Sequence, residues 1–151
     1  NDLWGMVSAN EAGVCATKED RSMSIPSRPL AVVTGASTGI GYELARCCAL
    51  AGFDLVIAAD EPKIQAAARE LVLLGANVDA IEADLATFEG VDALYEKIGG
   101  RPVDALFANA GRGLSNGFLD QDVADITHVI NTNITGTLYL IHKVGRDMRK
   151  R

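Results

Sequence analysis

The sequence has few cysteines, no excess of positive charge and no long hydrophobic run. Three cysteines are too few for a disulfide framework, and the adjacent pair Cys47 and Cys48 lacks the C-x-x-C spacing of redox and zinc sites. We therefore expect free thiols, a cytoplasmic location and no metal site. Lys and Arg number 14 against 20 Asp and Glu, a net charge of −6 that disfavours nucleic-acid phosphates. No apolar run approaches the roughly 20 residues that span a bilayer, so we expect neither a nucleic-acid nor a membrane partner.

The remaining composition is that of a folded globular protein. Hydrophobic residues make up 48% and charged residues 23% of the 151 residues, which is enough for one domain with a core. Residues 1–28 mix polar and small side chains without periodicity and lead into two closely spaced prolines, Pro26 and Pro29. We interpret residues 1–28 as a flexible leader and residues 29–151 as the folded domain.

Short β-type runs alternate with helical patterns from residue 30 onward. Strands are predicted over 30–34, 54–59, 77–81 and 103–108. Helices are predicted over 40–51 and 62–74, around Val91, Leu94 and Ile98, and over 122–149 with a break near 131–133. This alternation predicts an α/β fold in which helices flank a parallel sheet.

A glycine-rich loop, TGASTGIG over residues 34–41, lies between the first predicted strand and the first predicted helix. Backbone N–H groups at a helix N-terminus attract phosphate, and glycine lets the chain turn tightly and approach a pyrophosphate closely. The sequence therefore predicts a dinucleotide-binding loop, with a purely structural turn as the alternative. Its predicted cofactor-binding residues are Gly35, Ser37, Thr38, Gly39, Ile40 and Gly41.

This loop and three later motifs, in the same order, resemble the short-chain dehydrogenase/reductase family. The later motifs are Asp84-Leu85 after the third predicted strand, Asn109-Ala110-Gly111 after the fourth, and Asn133 in the last helix. The resemblance covers residues 30–149 and implies a Rossmann-type three-layer α/β/α fold with strand order 3-2-1-4. It also implies NAD(P)-dependent hydride transfer between a small-molecule alcohol and the corresponding carbonyl compound.

The resemblance assigns a role to each later motif. Asp84 and Leu85 would contact the adenine, and Asn133 would be a catalytic residue that holds a water molecule in a proton relay. The nicotinamide side would be lined by Asn109, Ala110 and Gly111. Structural alternatives stay open: Asp84 as a helix N-cap, Asn109 as a link between strand ends, and Asn133 as the mark of a helix break.

The residue after the second predicted strand distinguishes NAD from NADP. An acidic side chain there binds the ribose hydroxyls of NAD and repels the 2′-phosphate of NADP. Asp60 lies there, followed by Glu61, although NAD-preferring members of the family usually have their Asp at the position of Ala59. Thr38 is neutral where NADP-preferring members often have Lys or Arg, so no cation is available for a 2′-phosphate. We predict NAD bound through Asp60 and leave NADP open; Asp60 as a turn residue is the structural alternative.

The family's reaction requires a Ser, a Tyr and a Lys on elements that follow the last predicted helix. Tyr139 and Lys143 have the Tyr-x-x-x-Lys spacing, but Tyr139 follows Asn133 by only six residues on the same helix. We interpret both as packing residues and expect a domain that is incomplete at its C-terminus, before the later strands, and inactive alone. The alternative is a non-catalytic dinucleotide-binding or interaction module. The resemblance further implies a homo-oligomer that uses the last helix.

Overall fold

In the part of the chain that the structure describes, four parallel strands form the centre of the fold. The computed structural model of the protein describes residues 27–151, so the predicted leader and Cys15 lie outside the described residues apart from positions 27 and 28. The strands are β1 (Leu30–Thr34), β2 (Asp54–Ala59), β3 (Val78–Glu82) and β4 (Ala105–Phe107). They pair in the order β3-β2-β1-β4, which confirms the predicted topology.

The central strands are buried because helices cover both faces of the sheet. Val32 of β1 pairs in register with Val56 of β2 and Leu106 of β4. Successive side chains of a strand point to opposite faces, so Val33 and Ile57 pack in one cluster while Val32 and Val56 pack in another. Continuous apolar runs are what a strand buried on both faces requires.

The described residues form five α-helices beside this sheet. They are α1 (Gly39–Leu50), α2 (Ile64–Leu73), α3 (Phe88–Ile98), α4 (Val123–Ile130) and α5 (Thr137–Arg149). The buried sides of α1 and α2 pack on one face of the sheet through Ala45, Ile64 and Leu71. The other face is covered by α3 and α5, with Leu94 and Leu140 fully buried. None of the helices in residues 27–151 is long and apolar enough to cross a membrane.

The fourth strand is shorter than the predicted 103–108. Polar groups on both sides of the strand also bind β1 through side chains. The Leu30 N–H donates to Asp104 Oδ2 at 2.8 Å before the strand, and the Asn109 N–H donates to Thr34 Oγ1 at 3.0 Å after it. These bonds fix both ends of β4 against β1.

The predicted break near 131–133 is wrong. Asn131–Gly136 form a π-helical segment that runs without interruption from α4 into α5. A π turn inserts one residue into a helix and is often found beside functional sites. It brings Gly136 against the loop after β3, where a Cβ atom would lie 1.8 Å from the Leu85 carbonyl oxygen. The π-helical segment therefore lets the helix pass the loop after β3 at very close range.

Candidate functional site

The loop between β1 and α1 is built by glycine. Gly35 and Gly39 have φ values of +66° and +61°, a region that side-chain-bearing residues rarely adopt. A Cβ atom on Gly41 would lie 2.1 Å from the Gly35 carbonyl oxygen and 2.5 Å from Asn109 Nδ2. The loop could not close in this shape with any other residue at position 41.

The first turn of α1 opens onto a cleft at the carboxyl ends of the strands. Thr38 is the N-cap residue, and its side chain makes no capping hydrogen bond. Helix N-termini without a capping side chain leave backbone N–H groups available for an anion. The cleft has a volume of about 520 Å³, within the roughly 300–1,000 Å³ typical of small-molecule sites.

Most of the predicted site residues line this cleft. The structure brings together Gly35, Ser37, Thr38, Ile40, Gly41, Asp60, Asp84, Leu85, Asn109, Ala110 and Gly111. Gly39 and Asn133 are not among the lining residues, which also include Ala59 and Glu61 beside Asp60 and three residues that the sequence did not indicate: Ala83, Arg112 and Thr132. Position directly after a strand would have indicated Ala83, and position directly after a recognised motif would have indicated Arg112. Nothing in the sequence singles out Thr132.

Asn109 links the ends of β1 and β4. Its side-chain Nδ2 donates to the Thr34 carbonyl oxygen at 3.0 Å, and its backbone N–H donates to Thr34 Oγ1. The Ala110 N–H donates to the same hydroxyl at 2.9 Å. These contacts are those of the structural alternative for Asn109, a link between strand ends. They hold the loop after β4 beside the glycine loop.

Asn133 fixes the backbone at the end of that loop. Its Oδ1 accepts from the Arg112 N–H, and its Nδ2 donates to the Arg112 carbonyl oxygen, both at 2.9 Å. Both polar atoms of the side chain are thus bound to one backbone position. Among the described residues that line the cleft, Arg112 is the one with a positive charge.

Asp84 lies in the loop after β3 and is not the N-cap of α3. That position belongs to Thr87, whose Oγ1 accepts from the Gly90 N–H at 3.0 Å. Asp84 Oδ1 instead accepts from the Ala86 N–H at 2.9 Å and lies 3.7 Å from His128 Nε2. Within the described residues, this His128 atom is buried and has no hydrogen-bond partner.

Glu61, rather than Asp60, has the polar contacts after β2. The Ser37 hydroxyl donates to Glu61 Oε1 at 2.6 Å, and Lys63 Nζ lies 3.3 Å from Glu61 Oε2. The Ser37 hydrogen bond, followed by that of Lys63, holds the pKa of the Glu61 carboxyl below its ordinary value. Lys63 is thus a cation beside Glu61, although it is not among the residues that line the cleft. Lys63 lies before the first residue of α2, and its sequence position alone did not show that it turns back toward Glu61.

Tyr139 and Lys143 lie away from the cleft, between α3 and α5. Lys143 Nζ donates to Asp92 Oδ1 and to the Tyr139 hydroxyl, which itself donates to Asp92 Oδ1 at 3.0 Å. Lys143 lowers the pKa of the Asp92 carboxyl, and Asp92 raises the pKa of the Lys143 ammonium. The Tyr139 ring also packs edge-on against Phe88. These contacts join two helices, as the interpretation of both residues as packing residues predicts.

A second cavity, of about 370 Å³, lies at the opposite edge of the sheet, between α3, α5 and the segment before β4. Polar groups in its wall already bind one another: Tyr95 donates to Asp147, and Arg151 donates to the Val103 carbonyl oxygen. Within residues 27–151, no group of three or more His, Cys, Asp or Glu side chains is placed to hold a metal ion.

Comparison with known proteins agrees with this geometry. Residues 29–151 match the family described as short chain dehydrogenase. The chain is 34% identical over 126 residues to the NADP-dependent mannitol dehydrogenase of Hypocrea jecorina, covering 79% of this chain and 47% of that protein. It is 36% identical over 127 residues to the protein of the same name from Alternaria alternata, covering 80% and 48%. The chain thus spans about half the length of these relatives.

Solved structures give the same result. The L-sorbose reductase of Gluconobacter frateurii, complexed with NADPH and L-sorbose, superposes with a TM-score of 0.75 at 30% identity, covering 83% of this chain and 49% of that one. The bulky-bulky ketone specific alcohol dehydrogenase of Comamonas testosteroni superposes with a TM-score of 0.75 at 28% identity, covering 81% and 50%. From the family match, the shared strand order and the glycine loop, we conclude that the chain belongs to the short chain dehydrogenase family.

Proposed function

We propose that the cleft binds a nicotinamide dinucleotide and that the chain is the cofactor-binding part of an NAD(P)-dependent oxidoreductase. The observation that supports this most strongly is the position of the cleft. In the order β3-β2-β1-β4, the chain proceeds outward from β1 on one side and then crosses to β4 on the other. Open α/β sheets bind ligands at such a switch point, outside the carboxyl ends of the strands.

The residues present fit the chemical groups of a dinucleotide. The uncapped first turn of α1 suits a pyrophosphate, and the tight Gly35–Gly41 approach leaves the backbone unshielded by side chains. In this proposal Asp84 and Leu85 contact the adenine. Asn109, Ala110 and Gly111 line the nicotinamide side, and Asn133 acts by holding the Arg112 backbone in place. The cofactor, when bound, supplies or accepts the hydride.

The proposed reaction is the interconversion of a small-molecule alcohol and its carbonyl compound. Support comes from relatives whose names describe such chemistry, including a mannitol dehydrogenase and a ketone-specific alcohol dehydrogenase. A cytoplasmic location is part of the same proposal, because Cys47 and Cys48 are free thiols in the fold. The acidic balance of the sequence argues against a nucleic-acid substrate.

A negative charge placed at the N-terminus of α1 tests the proposed cofactor site. Thr38→Glu changes an exposed side chain without a capping bond, so it should leave the fold intact while repelling a pyrophosphate. We expect NADH affinity, measured from the fluorescence of the bound nicotinamide, to fall at least about tenfold. Leu73→Glu, at the exposed end of α2, adds the same charge elsewhere and should leave the affinity unchanged. Equal affinity in both variants would contradict the proposal.

We expect the 151-residue chain to bind NADH without turning over an alcohol or a ketone. Tyr139 and Lys143 are engaged with Asp92 between two helices and do not line the cleft. A saturable NAD- or NADP-dependent alcohol oxidation by the purified chain would contradict this expectation. Binding without turnover is also the result expected from the second candidate function, a non-catalytic dinucleotide-binding or interaction module.

An exposed apolar stripe favours self-association. Ile130, Ile134, Leu138 and Ile141 recur at helical spacing from the end of α4 into α5 and are exposed. We propose that the chain forms a homo-oligomer through this stripe. Sedimentation of the purified chain should give a mass above 15.9 kDa, and Leu138→Lys should reduce it toward the monomer. A monomer at millimolar concentration would contradict the oligomer alone.

A further inference from the structure

His128 of α4 lies beside Asp84, one of the residues that line the cleft. Its ring atom Nε2 lies 3.7 Å from Asp84 Oδ1, which already accepts from the Ala86 N–H at 2.9 Å. Within residues 27–151, this Nε2 atom is buried and has no hydrogen-bond partner. Buried polar atoms without a partner are uncommon in folded proteins, because each one costs stability. The Asp84 carboxylate is the group placed to become that partner.

The backbones at both positions are held by neighbouring groups. The Asp84 carbonyl oxygen accepts from the Thr87 hydroxyl at 2.9 Å. The first turn of α3 passes so close that a Cβ atom on Gly90 would lie 2.0 Å from that oxygen. The His128 carbonyl oxygen accepts from the Thr132 hydroxyl at 3.0 Å. We therefore expect the gap between Nε2 and Oδ1 to close by rotation of the two side chains.

Protonation of the His128 ring determines how strongly the two side chains attract each other. Their separation of 3.7 Å is longer than an N–H···O hydrogen bond, which is roughly 2.7–3.2 Å, but short enough for an ion pair. In the imidazolium both ring nitrogens are donors, and a charge-assisted bond is about twice as strong as an uncharged one. Histidine ordinarily changes its charge between about pH 5 and 8. The contact should therefore be strongest at the acidic end of this range.

Resting on the cofactor role proposed for the cleft, we propose that His128 is a positioning residue that binds Asp84 when protonated and so raises the affinity of the cleft for a dinucleotide. Asp84 Oδ1 then has two donors, the Ala86 N–H and the ring, whereas Oδ2 has no hydrogen bond within the described residues. A carboxylate held through Oδ1 can offer Oδ2 to the amino group of an adenine. Because the side chain is already ordered, binding loses less conformational freedom.

The other charged groups around His128 are screened by solvent. In the part of the chain that the structure describes, Asp84 is the only carboxylate within 4 Å of a His128 ring nitrogen. The π-helical segment that continues α4 contains no ionisable side chain. Charged side chains on the surrounding elements are Asp125 on α4, Glu89 in the first turn of α3 and Arg112 in the loop after β4, and all three are exposed. They are present in every variant below, so their effect is common to all measurements.

Three variants separate positioning from a general effect of charge. Binding of the oxidised dinucleotide NAD, whose own charge is constant over this range, is measured by calorimetry between about pH 5 and 8. The proteins are the wild type, His128→Gln, Asp84→Asn and His142→Gln. Glutamine keeps a neutral donor but does not titrate. His142, the other histidine of the chain, is exposed on α5 outside the cleft and provides the matched control.

We expect the wild-type affinity for NAD to rise about fivefold from the upper to the lower end of this pH range, the scale of a modest coupling between two bound ligands. His128→Gln and Asp84→Asn should each abolish the rise, and His142→Gln should retain it. If the ring acted only through its charge on the dinucleotide, the rise would survive Asp84→Asn. That result, a rise that survives His128→Gln, or a constant wild-type affinity would overturn the role of His128.

An NMR titration without cofactor tests the contact by itself. The shift of the Ala86 amide should follow protonation of the His128 ring in the wild type, and this response should be lost in His128→Gln. An Ala86 amide that does not respond to the ring would overturn the contact and the proposal with it.

The calorimetry separates this inference from the cofactor site. NAD binding with an affinity independent of pH refutes only the role of His128. Absence of NAD binding to the folded wild type at every pH, with folding checked by circular dichroism, refutes the proposed function and the inference together.

Discussion

The two ends of the cleft hold their polar groups in different ways. At the β1–β4 end, side chains bind backbone: Thr34 and Asn109 connect the strand ends, and Asn133 holds Arg112. At the β2 end, side chains bind side chains in a partly exposed cluster of Ser37, Glu61 and Lys63. Bonds to backbone fix loop shape, whereas exposed side-chain pairs contribute little to stability. The first end is therefore a scaffold, and the second is suited to distinguish ligands.

The largest effect is expected from breaking the scaffold at Gly41. Gly41→Ala would place a Cβ atom 2.1 Å from the Gly35 carbonyl oxygen, so the loop must shift. We expect a loss of at least about 2 kcal/mol in the free energy of unfolding, measured by urea denaturation. Gly145→Ala is the matched control, because nothing lies within 4 Å of its Cβ, and it should be neutral or slightly stabilising. Equal losses in both variants would contradict the close approach.

A smaller loss is expected from Thr34→Val, which keeps the shape of a buried side chain but removes its hydroxyl. The Asn109 and Ala110 N–H groups would lose their shared acceptor. Leaving such groups unpaired costs about 1–3 kcal/mol of stability. Thr34→Ser retains the hydroxyl and should restore the protection of both amides in hydrogen exchange. If valine left their exchange rates unchanged, the link between β1 and β4 would be refuted.

Asn133→Leu tests the scaffold where it is exposed. The substitution removes both bonds to the Arg112 backbone, and we expect a loss of about 0.5–1.5 kcal/mol. The effect should be local, with faster hydrogen exchange at the Arg112 amide and unchanged exchange in β2. Thr135→Val, two residues along the same π-helical segment, is the control. Faster exchange in β2 would indicate that Asn133 supports the whole fold instead.

The smallest effect on stability is expected at the β2 end. Ser37→Ala removes the main cause of the depressed pKa of Glu61, so that pKa should rise toward its ordinary value in an NMR titration. Because the folded-state pKa is depressed, the stabilisation by this carboxylate is present above its unfolded pKa and is lost as the pH falls through the folded pKa. Ser37→Ala should reduce the stability that is lost at acid pH through protonation of Glu61, and Ser115→Ala should not. An unchanged Glu61 pKa would contradict the contact.

Most of the fold was predictable because the burial of strands and helices leaves a simple pattern of apolar residues in the sequence. The apolar runs of β1 and β2 and the periodic residues of α2 and α3 indicate their elements without tertiary information. The π-helical segment was not predictable, because Asn131, Thr132 and Asn133 are equally typical of a helix end. Its cause is tertiary: Gly136 must pass the Leu85 carbonyl oxygen.

Part of the candidate site could likewise be predicted from the sequence, and part could not. The glycine loop was predictable because the backbone conformation requires glycine at Gly35, Gly39 and Gly41. The choice between Asp60 and Glu61 was not, because adjacent residues after a strand point in different directions and only the fold shows which one meets Ser37. The position of Arg112 directly after a recognised motif did not show that its backbone is held by Asn133, 21 residues away along the chain.

The most direct test of the cofactor site is a ¹⁵N NMR titration of the full chain with NADH. We predict saturable shifts of the backbone amides in the β1 loop, at Gly35, Ser37, Gly39, Ile40 and Gly41, with no shifts around the second cavity at Tyr95 and Val144. Saturable shifts confined to that second cavity, or no shifts in the β1 loop at millimolar NADH, would contradict the assignment of the cleft as a dinucleotide site.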